Sequence, residues 1–162
     1  MARKKDKSTK EKKPISIQNR KARHDYFIED SFEVGIVLKG TEVKSIRLGN
    51  ASFTDTFAYI QKGEIWLKDF YIKEFDQGSY NNHEPRRIRK LLLKRDEIRK
   101  IDRAISQKGV TLVPLKLYFT RGRAKIELGL GRGKKQYDKR ASIAEKDLKR
   151  EMDRNIKGKY KL

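Results

Sequence analysis

The chain has 162 residues, 36% of them hydrophobic, and 42 Lys/Arg stand against 22 Asp/Glu for a formal net charge of +20. That length holds one ordinary domain, and the charge suits a polyanion whose phosphates release counterions when neutralised, although an anionic membrane surface would accept it too. With no Cys, disulfides, thiolate nucleophiles and zinc knuckles are excluded. The opening Met1-Ala2-Arg3-Lys4-Lys5-Asp6 lacks the apolar core of a secretory signal, and no run reaches membrane-spanning length. A soluble cytoplasmic protein with no membrane partner is expected.

The charge is concentrated at the ends. Residues 1–23 hold ten Lys/Arg against two acids, and residues 132–162 hold twelve against five. Residues 1–13 are almost wholly polar and cannot bury enough surface to fold, so a disordered basic arm is expected over 1–18. From Tyr26 the apolar residues recur with period two. Tyr26, Ile28, Phe32, Val34, Ile36 and Leu38 share one face of a long strand, interrupted at Asp30, with a bulge expected at Asp30-Ser31 or Gly35. Gly40-Thr41 opens a short helix with Val43 and Ile46 inward and Gly49 at its stop. An aromatic-rich hairpin follows, Phe53–Ile60 and Ile65–Ile72 about a Lys62-Gly63 turn.

Residues 76–85 read as a polar loop. Ile88, Leu91, Leu92, Ile98, Ile101 and Ile105 predict a helix ending at Gly109, whose start is open because Leu91-Leu92-Leu93 reads equally as strand. Val110–Phe119 and Ala124–Leu130 make a last hairpin about Arg121-Gly122, with Pro114 at an edge or bulge. Five strands and two or three helices predict a mainly β fold over 19–131, a small, partly open barrel of the oligonucleotide-binding type; a split α+β sheet is the alternative. Gly129, Gly131 and Gly133 are expected to form a flexible joint. Beyond it, residues 132–162 form a basic tail in which Ala144, Leu148, Met152, Ile156 and Tyr160 recur every four residues as a narrow apolar ridge. A tail of this kind is expected to be disordered alone and helical against a partner.

Catalysis finds no constellation in this inventory. There are two histidines, His24 and His83, and no acidic cluster at ligand spacing, so neither a metal nor a cofactor is expected. The glycine run misses both phosphate-loop templates. The dinucleotide fingerprint needs Gly where Lys134 stands; the triphosphate loop needs Gly at Leu128 and Ser or Thr at Lys135. What the basic ends do have is aromatic company: Arg23-His24-Asp25-Tyr26-Phe27 at one end and Lys134-Lys135-Gln136-Tyr137-Asp138-Lys139-Arg140 at the other. Cations beside rings suit RNA loops and unpaired bases. Phe53, Phe57, Trp66, Phe70 and Tyr118 read as packing rather than as a stacking platform.

Specific strings then become recognisable in order. Asn19-Arg20-Lys21-Ala22-Arg23-His24-Asp25-Tyr26-Phe27-Ile28 is followed by Phe32-Glu33-Val34-Gly35-Ile36-Val37-Leu38 and by Gly40-Thr41-Glu42-Val43-Lys44-Ser45-Ile46-Arg47. Arg89-Lys90-Leu91-Leu92-Leu93 comes later, and Gly131-Arg132-Gly133-Lys134-Lys135-Gln136-Tyr137-Asp138-Lys139-Arg140 after it. From about residue 15 onward the chain resembles the small protein B family, the tmRNA-binding proteins of bacterial trans-translation.

The resemblance implies an oligonucleotide-binding barrel that holds the tRNA-like domain of tmRNA. It also implies entry into ribosomes whose message has run out, with elongation factor Tu carrying the alanyl-tmRNA, and a monomeric protein without catalysis of its own. By position it implies that Glu33, Leu92 and Lys125 lie on the tmRNA-binding surface, with Glu33 either an RNA contact or a structural salt-bridge partner. The basic and aromatic residues of the same strings complete the candidate RNA-binding set: Arg20, Lys21, Arg23, His24, Tyr26, Lys44, Arg89, Lys90, Arg132, Lys134 and Lys135. Tyr137, Asp138, Lys139, Arg140, Leu148, Met152 and Ile156 are the expected tail contacts at the decoding centre and message channel. Position 137 is Tyr where many members have His, and Tyr cannot become cationic near neutral pH. The alternatives are a ribosomal or ribosome-assembly protein and a small RNA-processing enzyme.

Overall fold

The computed structural model describes residues 15–159, with side chains through Arg154. Its nine strands, four α-helices and one 3-10 turn follow in chain order. Two short elements, β1 (Ser16–Gln18) and α1 (Arg20–Asp25), lead into the long β2 (Tyr26–Ile36), and α2 (Gly40–Arg47) follows it. Next come β3 (Ala51–Ser52), β4 (Phe57–Gln61), β5 (Glu64–Lys68), β6 (Tyr71–Ile72) and β7 (Arg89–Leu92). The chain ends with α3 (Arg95–Ile105), β8 (Val110–Thr120), β9 (Arg123–Gly133) and α4 (Gln136–Lys159).

Six strands pair in the order β8-β4-β5-β7-β2-β9, and β9 returns to β8, so the sheet closes on itself. Every neighbouring pair is antiparallel. Closure removes the exposed edges that an open sheet of this size would present. β1 adds a short strand beside Lys116–Tyr118 of β8, and β3 pairs with β6 as a separate two-stranded ribbon. A mainly β, barrel-like architecture was expected; it is built from six strands instead of five, and β4 meets β8 at a single pair, Ala58 with Leu112.

The long strands bend where their sequence allows. β2 shifts register between Ile28 and Asp30, and β8 shifts between Pro114 and Lys116, where Pro has no N–H to offer the ladder. Inward residues of the barrel join Ile46 of α2 and Ile101 of α3 in one core: Val34, Ile65, Leu67, Leu117, Ile126 and Leu128 have no exposed surface. Each such side chain contributes ~1.5–3 kcal/mol of burial. A smaller cluster forms outside the ring, where Ala22 of α1 packs on Val113 and Leu115 beside Tyr26 and Ile28.

Several expectations need correction. Ser16–Gln18 is a paired strand and Arg20–Asp25 a helix, so the N-terminal arm expected over 1–18 is shorter at its C-terminal side; its residues 1–14 lie outside the described residues. The helix expected to take in Ile88 begins instead at Arg95, because Arg89–Leu92 pairs with both β5 and β2 and so closes the ring. The aromatic hairpin is shorter than expected: its first strand begins at Phe57 rather than Phe53, after Asp55 (φ 60°) turns the chain, and its second is cut in two between β5 and β6 at Asp69 (φ 58°). The glycines at 129, 131 and 133 are strand residues rather than a joint. A Cβ on Gly129 would lie 3.1 Å from Ile28 and Leu115, and one on Gly131 would lie 3.1 Å from the Cβ of Tyr26. Glycine is there for close approach, and β9 runs two residues past the expected domain limit at 131. The tail from Gln136 to Lys159 is one continuous helix.

Candidate nucleic-acid interface

The outer surface of β7, β2, β9 and β8 assembles the three residues singled out by position. Pairing sets Gly35 against Leu92 on one side and Lys125 on the other, and Tyr118 lies opposite Lys125. Glu33 stands one outward step along β2, facing Glu127, which in turn faces Lys116. Glu33, Leu92 and Lys125 therefore share one continuous face. Lys125 Nζ lies 3.4 Å from Glu33 Oε1, and the Tyr118 hydroxyl donates to the other carboxylate oxygen. Lys116 Nζ contacts Glu127 Oε2 at 3.0 Å and sits 5.1 Å above the Tyr118 ring.

The electrostatics of this cluster follow from those contacts. The hydrogen bond from Tyr118, and then the Lys125 ammonium, hold the Glu33 carboxyl below its ordinary value. Burial, and then the Glu33 carboxylate, push the Tyr118 hydroxyl up to about 12, so it is a donor at neutral pH. The Glu33 side chain remains 53% exposed. It is thus an open ion-pair partner rather than a buried one, with oxygens free to accept from exocyclic amines of a base. Beside it, Gly35, Ile36, Leu38, Val43, Leu92 and Ala124, with Gly122, Arg123 and Lys125 on one side, line a concavity of about 400 Å³. Leu92 is 52% exposed at its wall, and a Cβ on Gly35 would press within 3.2 Å of it.

A second basic surface gathers around α1 and the start of α4. Asn19 fixes α1 at both ends of its own side chain: its Oδ1 accepts from the Ala22 N–H at 3.1 Å, and its Nδ2 donates to Pro114 O at 2.9 Å. Arg20, Lys21 and Arg23 then project outward as exposed side chains. Arg132 pairs with Glu29 at 3.1 Å. Lys134 donates from its backbone to Asp25 O at 2.8 Å, and its ammonium lies 4.7 Å from the Phe27 ring, within reach of Arg23 O and Ser142 Oγ. Lys135 is exposed, and its N–H donates to Asp138 Oδ2 at 3.1 Å. Asp25 Oδ1 receives Lys139 Nζ at 2.9 Å and His24 Nδ1 at 2.9 Å; these two contacts, Lys139 first, lower the Asp25 carboxyl.

The structure redistributes several expected RNA contacts. Arg89 has no exposed surface: its guanidinium meets Glu42 Oε1 at 2.8 Å, Phe70 O at 2.6 Å and Pro85 O at 3.0 Å. Such a side chain cannot reach a phosphate; it ties β7 to α2 and to the loop before it. Tyr26 is half-buried under α1 in the smaller core, so its ring packs rather than stacks in the open. Lys44 lies over the Phe75 ring, 5.4 Å from its centroid, and Lys90 is paired with Glu64. On α4, Tyr137 is 81% exposed, Arg140 is exposed, and Leu148 and Met152 are 58% and 62% exposed. The Ile156 side chain and all of Tyr160 lie outside what is described.

Two groups were missed from sequence. Tyr118 and Lys116 were assigned to the interior or passed over, yet the two-residue Arg121-Gly122 turn already fixes Tyr118 opposite Lys125. Glu42, with Arg87 and Arg89, carried only the signal of an acid three residues into a helix, where it caps the Lys39 N–H at 2.7 Å. Among the described residues there is no group of three or more His, Asp or Glu placed to hold a metal ion, and no helix long and apolar enough to cross a membrane.

Comparison with known proteins completes the picture. The family model for SmpB protein matches residues 16–158. An SsrA-binding protein of Thermobifida fusca is 57% identical over 97% of this chain and 98% of its own length. Another, from Acetivibrio thermocellus, is 53% identical over 94% and 99%. A solved structure described as "tmRNA-SmpB: a journey to the center of the bacterial ribosome" is 54% identical, with a TM-score of 0.65 over 75% of this chain and 86% of that one. With its strings, its barrel and nearly its whole length in agreement, the chain belongs to the SmpB protein family.

Proposed function

We infer that this protein binds the tRNA-like domain of tmRNA and delivers it to stalled bacterial ribosomes, acting in the cytoplasm as a monomer and without catalysis of its own. The observation that carries this reading is the continuous outer face holding Glu33, Leu92 and Lys125 beside a concavity with apolar and basic walls, in a chain so similar to relatives named for binding SsrA. The barrel serves as an oligonucleotide-binding module. Lys125 reaches a phosphate, Glu33 keeps that ammonium in place and accepts from a base amine, and Leu92 offers an apolar wall to an unstacked base.

The basic surface around α1 and α4 serves the second partner, ribosomal RNA. Asp138, Lys139 and Arg140 sit in the first turn of α4, where they would meet the decoding centre, and the helix continues into the vacant message channel. Elongation factor Tu takes part only through the alanyl-tmRNA. Sequencing the RNA that co-purifies with the tagged protein tests the reading. One structured RNA of tmRNA type should dominate, at substoichiometric levels on ribosomes. Equimolar ribosomal RNA in every ribosome would point instead to a permanent ribosomal component. In direct binding, Lys125→Ala and Glu33→Ala should weaken capture of the tRNA-like domain while circular dichroism stays at wild type.

A further inference from the structure

Strands β4 and β5 alternate cleanly between the two sides of the barrel wall. Ala58, Ile65 and Leu67 are buried in the core and Ile60 packs against it, so Phe57, Tyr59, Trp66 and Lys68 stand outside by parity. Phe57 and Trp66, expected inside, are therefore on the surface: Phe57 is 43% exposed, and Tyr59 and Trp66 are half-buried. Register sets Phe57 opposite Lys68, Tyr59 opposite Trp66, and Trp66 opposite Lys90 of β7. The Phe57 and Tyr59 ring centroids are 6.1 Å apart. Lys68 Nζ lies 5.8 Å from the Phe57 ring and Lys90 Nζ 5.9 Å from the Trp66 ring. The helices pack elsewhere: α1 on β8 and β2, α2 on β6, and α3 on β8 and β9.

We propose that this strip of rings and ammonium groups is a separate RNA surface, a stacking platform for a short unpaired segment. It lies across β7 from the face built by Glu33, Leu92 and Lys125. Rings on neighbouring positions offer π-faces to successive bases without reading their edges, which makes the surface tolerant of sequence. The Lys68 ammonium over Phe57 is weakly held at so exposed a site, and that of Lys90 over Trp66 also pairs with Glu64. A base that takes the ring face brings its own phosphate close, and the displaced ammonium needs only to swing onto it. Lys62, Lys68 and Lys90 outnumber Glu64, which is paired with Lys90, and Asp55 at the Phe57 end, so the strip is complementary to a polyanion. A protein partner's aliphatic side chains would cover these rings without replacing the cations' interaction with them; a stacked nucleotide supplies both the ring and the anion.

Trp66 is the single tryptophan of the chain, so the intrinsic fluorescence of the full-length protein reports this strip. Titration with a short unstructured oligouridylate is expected to quench Trp66 saturably. Phe57→Ala and Lys68→Ala should each raise the midpoint roughly fivefold or more, the lower end of a base-stacking contribution. Phe57→Tyr, which keeps a ring, should restore it. Melting curves of these variants should stay near wild type because both side chains are exposed. A flat titration overturns the proposal, as a partner that is only a protein would also produce. So does quenching unaffected by Phe57→Ala and Lys68→Ala, or equal quenching by heparin, a polyanion without bases. Capture of the tRNA-like domain, measured separately, is untouched by any of these results.

Discussion

Glu42 and Arg89 show how one side chain can be misjudged when only its charge is known. Both are almost wholly buried, at 5% and 0% exposure, and every polar atom of the Arg89 head finds an acceptor. Removing one partner leaves the other charged in a medium that cannot solvate it. Arg89→Met and Glu42→Gln should each lose ~3–5 kcal/mol in urea unfolding, with RNA affinity per folded molecule unchanged. Burial alone would raise the Glu42 carboxyl, but Arg87, the Lys39 N–H and Arg89 overcome it and hold the group below its ordinary value of 4.5. A depressed carboxyl stabilises the fold above its unfolded pKa and loses that contribution as pH falls through the folded value. The stability gap between wild type and Glu42→Gln should therefore be full at neutral pH and shrink below about pH 4.5, as paired thermal melts at stepped pH would record.

At the scale of elements, the C-terminal half of β9 and the first turn of α4 work as one unit. Gly131 lets β9 pass against Tyr26, whose Cβ is too close to its own backbone to move aside. Gly131→Ala should cost ~1–3 kcal/mol by overpacking and should shift the resonances of α1, which lies on the same small core. Lys134 and Lys139 then bind the start of α4 to the end of α1 through the Asp25 carbonyl and carboxylate. An exposed pair of this sort is worth ~0–1 kcal/mol, so it orients the helix rather than stabilising the domain. Beyond Ser142 every described α4 side chain is exposed. Truncation after Lys135 should accordingly leave the melting temperature near wild type and lower the affinity for the tRNA-like domain only by the screened electrostatic attraction of the lost cations. Tagging on stalled ribosomes should collapse, and full tagging by the truncated protein would refute the assignment of the tail to the ribosome.

The molecule as a whole presents RNA with a polyelectrolyte problem. Its +20 charge is held mostly at the two ends, while the barrel face carries ion pairs such as Lys125–Glu33 and Lys116–Glu127 that are already compensated. Affinity for a tRNA-like RNA should thus depend steeply on salt. Six to ten phosphate contacts correspond to a log–log slope of roughly −4 to −9. Lys125→Ala should lower affinity at every salt concentration and reduce the slope by about one phosphate's worth. A slope shallower than about −2 in filter binding would show that the basic ends contribute little.

Period-two runs, two-residue turns and the charge partition were readable in the chain because they depend on neighbours within a few residues. The β2 strand and its bulge near Asp30, the α2 helix with its Gly49 stop, and the Arg121-Gly122 hairpin all fall into that class. The order of the strings carried the family, and with it the positions of Glu33, Leu92 and Lys125. Long-range pairing decided the rest. Leu91-Leu92-Leu93 carries no periodicity of its own, and the strand state of Leu91 and Leu92 follows from ladder bonds of β7 to β5 on one side and β2 on the other. The same closure sends Arg89 inward to Glu42 and turns Phe57 and Trp66 outward. It also makes Gly129 and Gly131 of β9 points of close contact instead of a hinge. Parity along a strand can be read locally, but which parity faces the core is fixed only when distant strands meet.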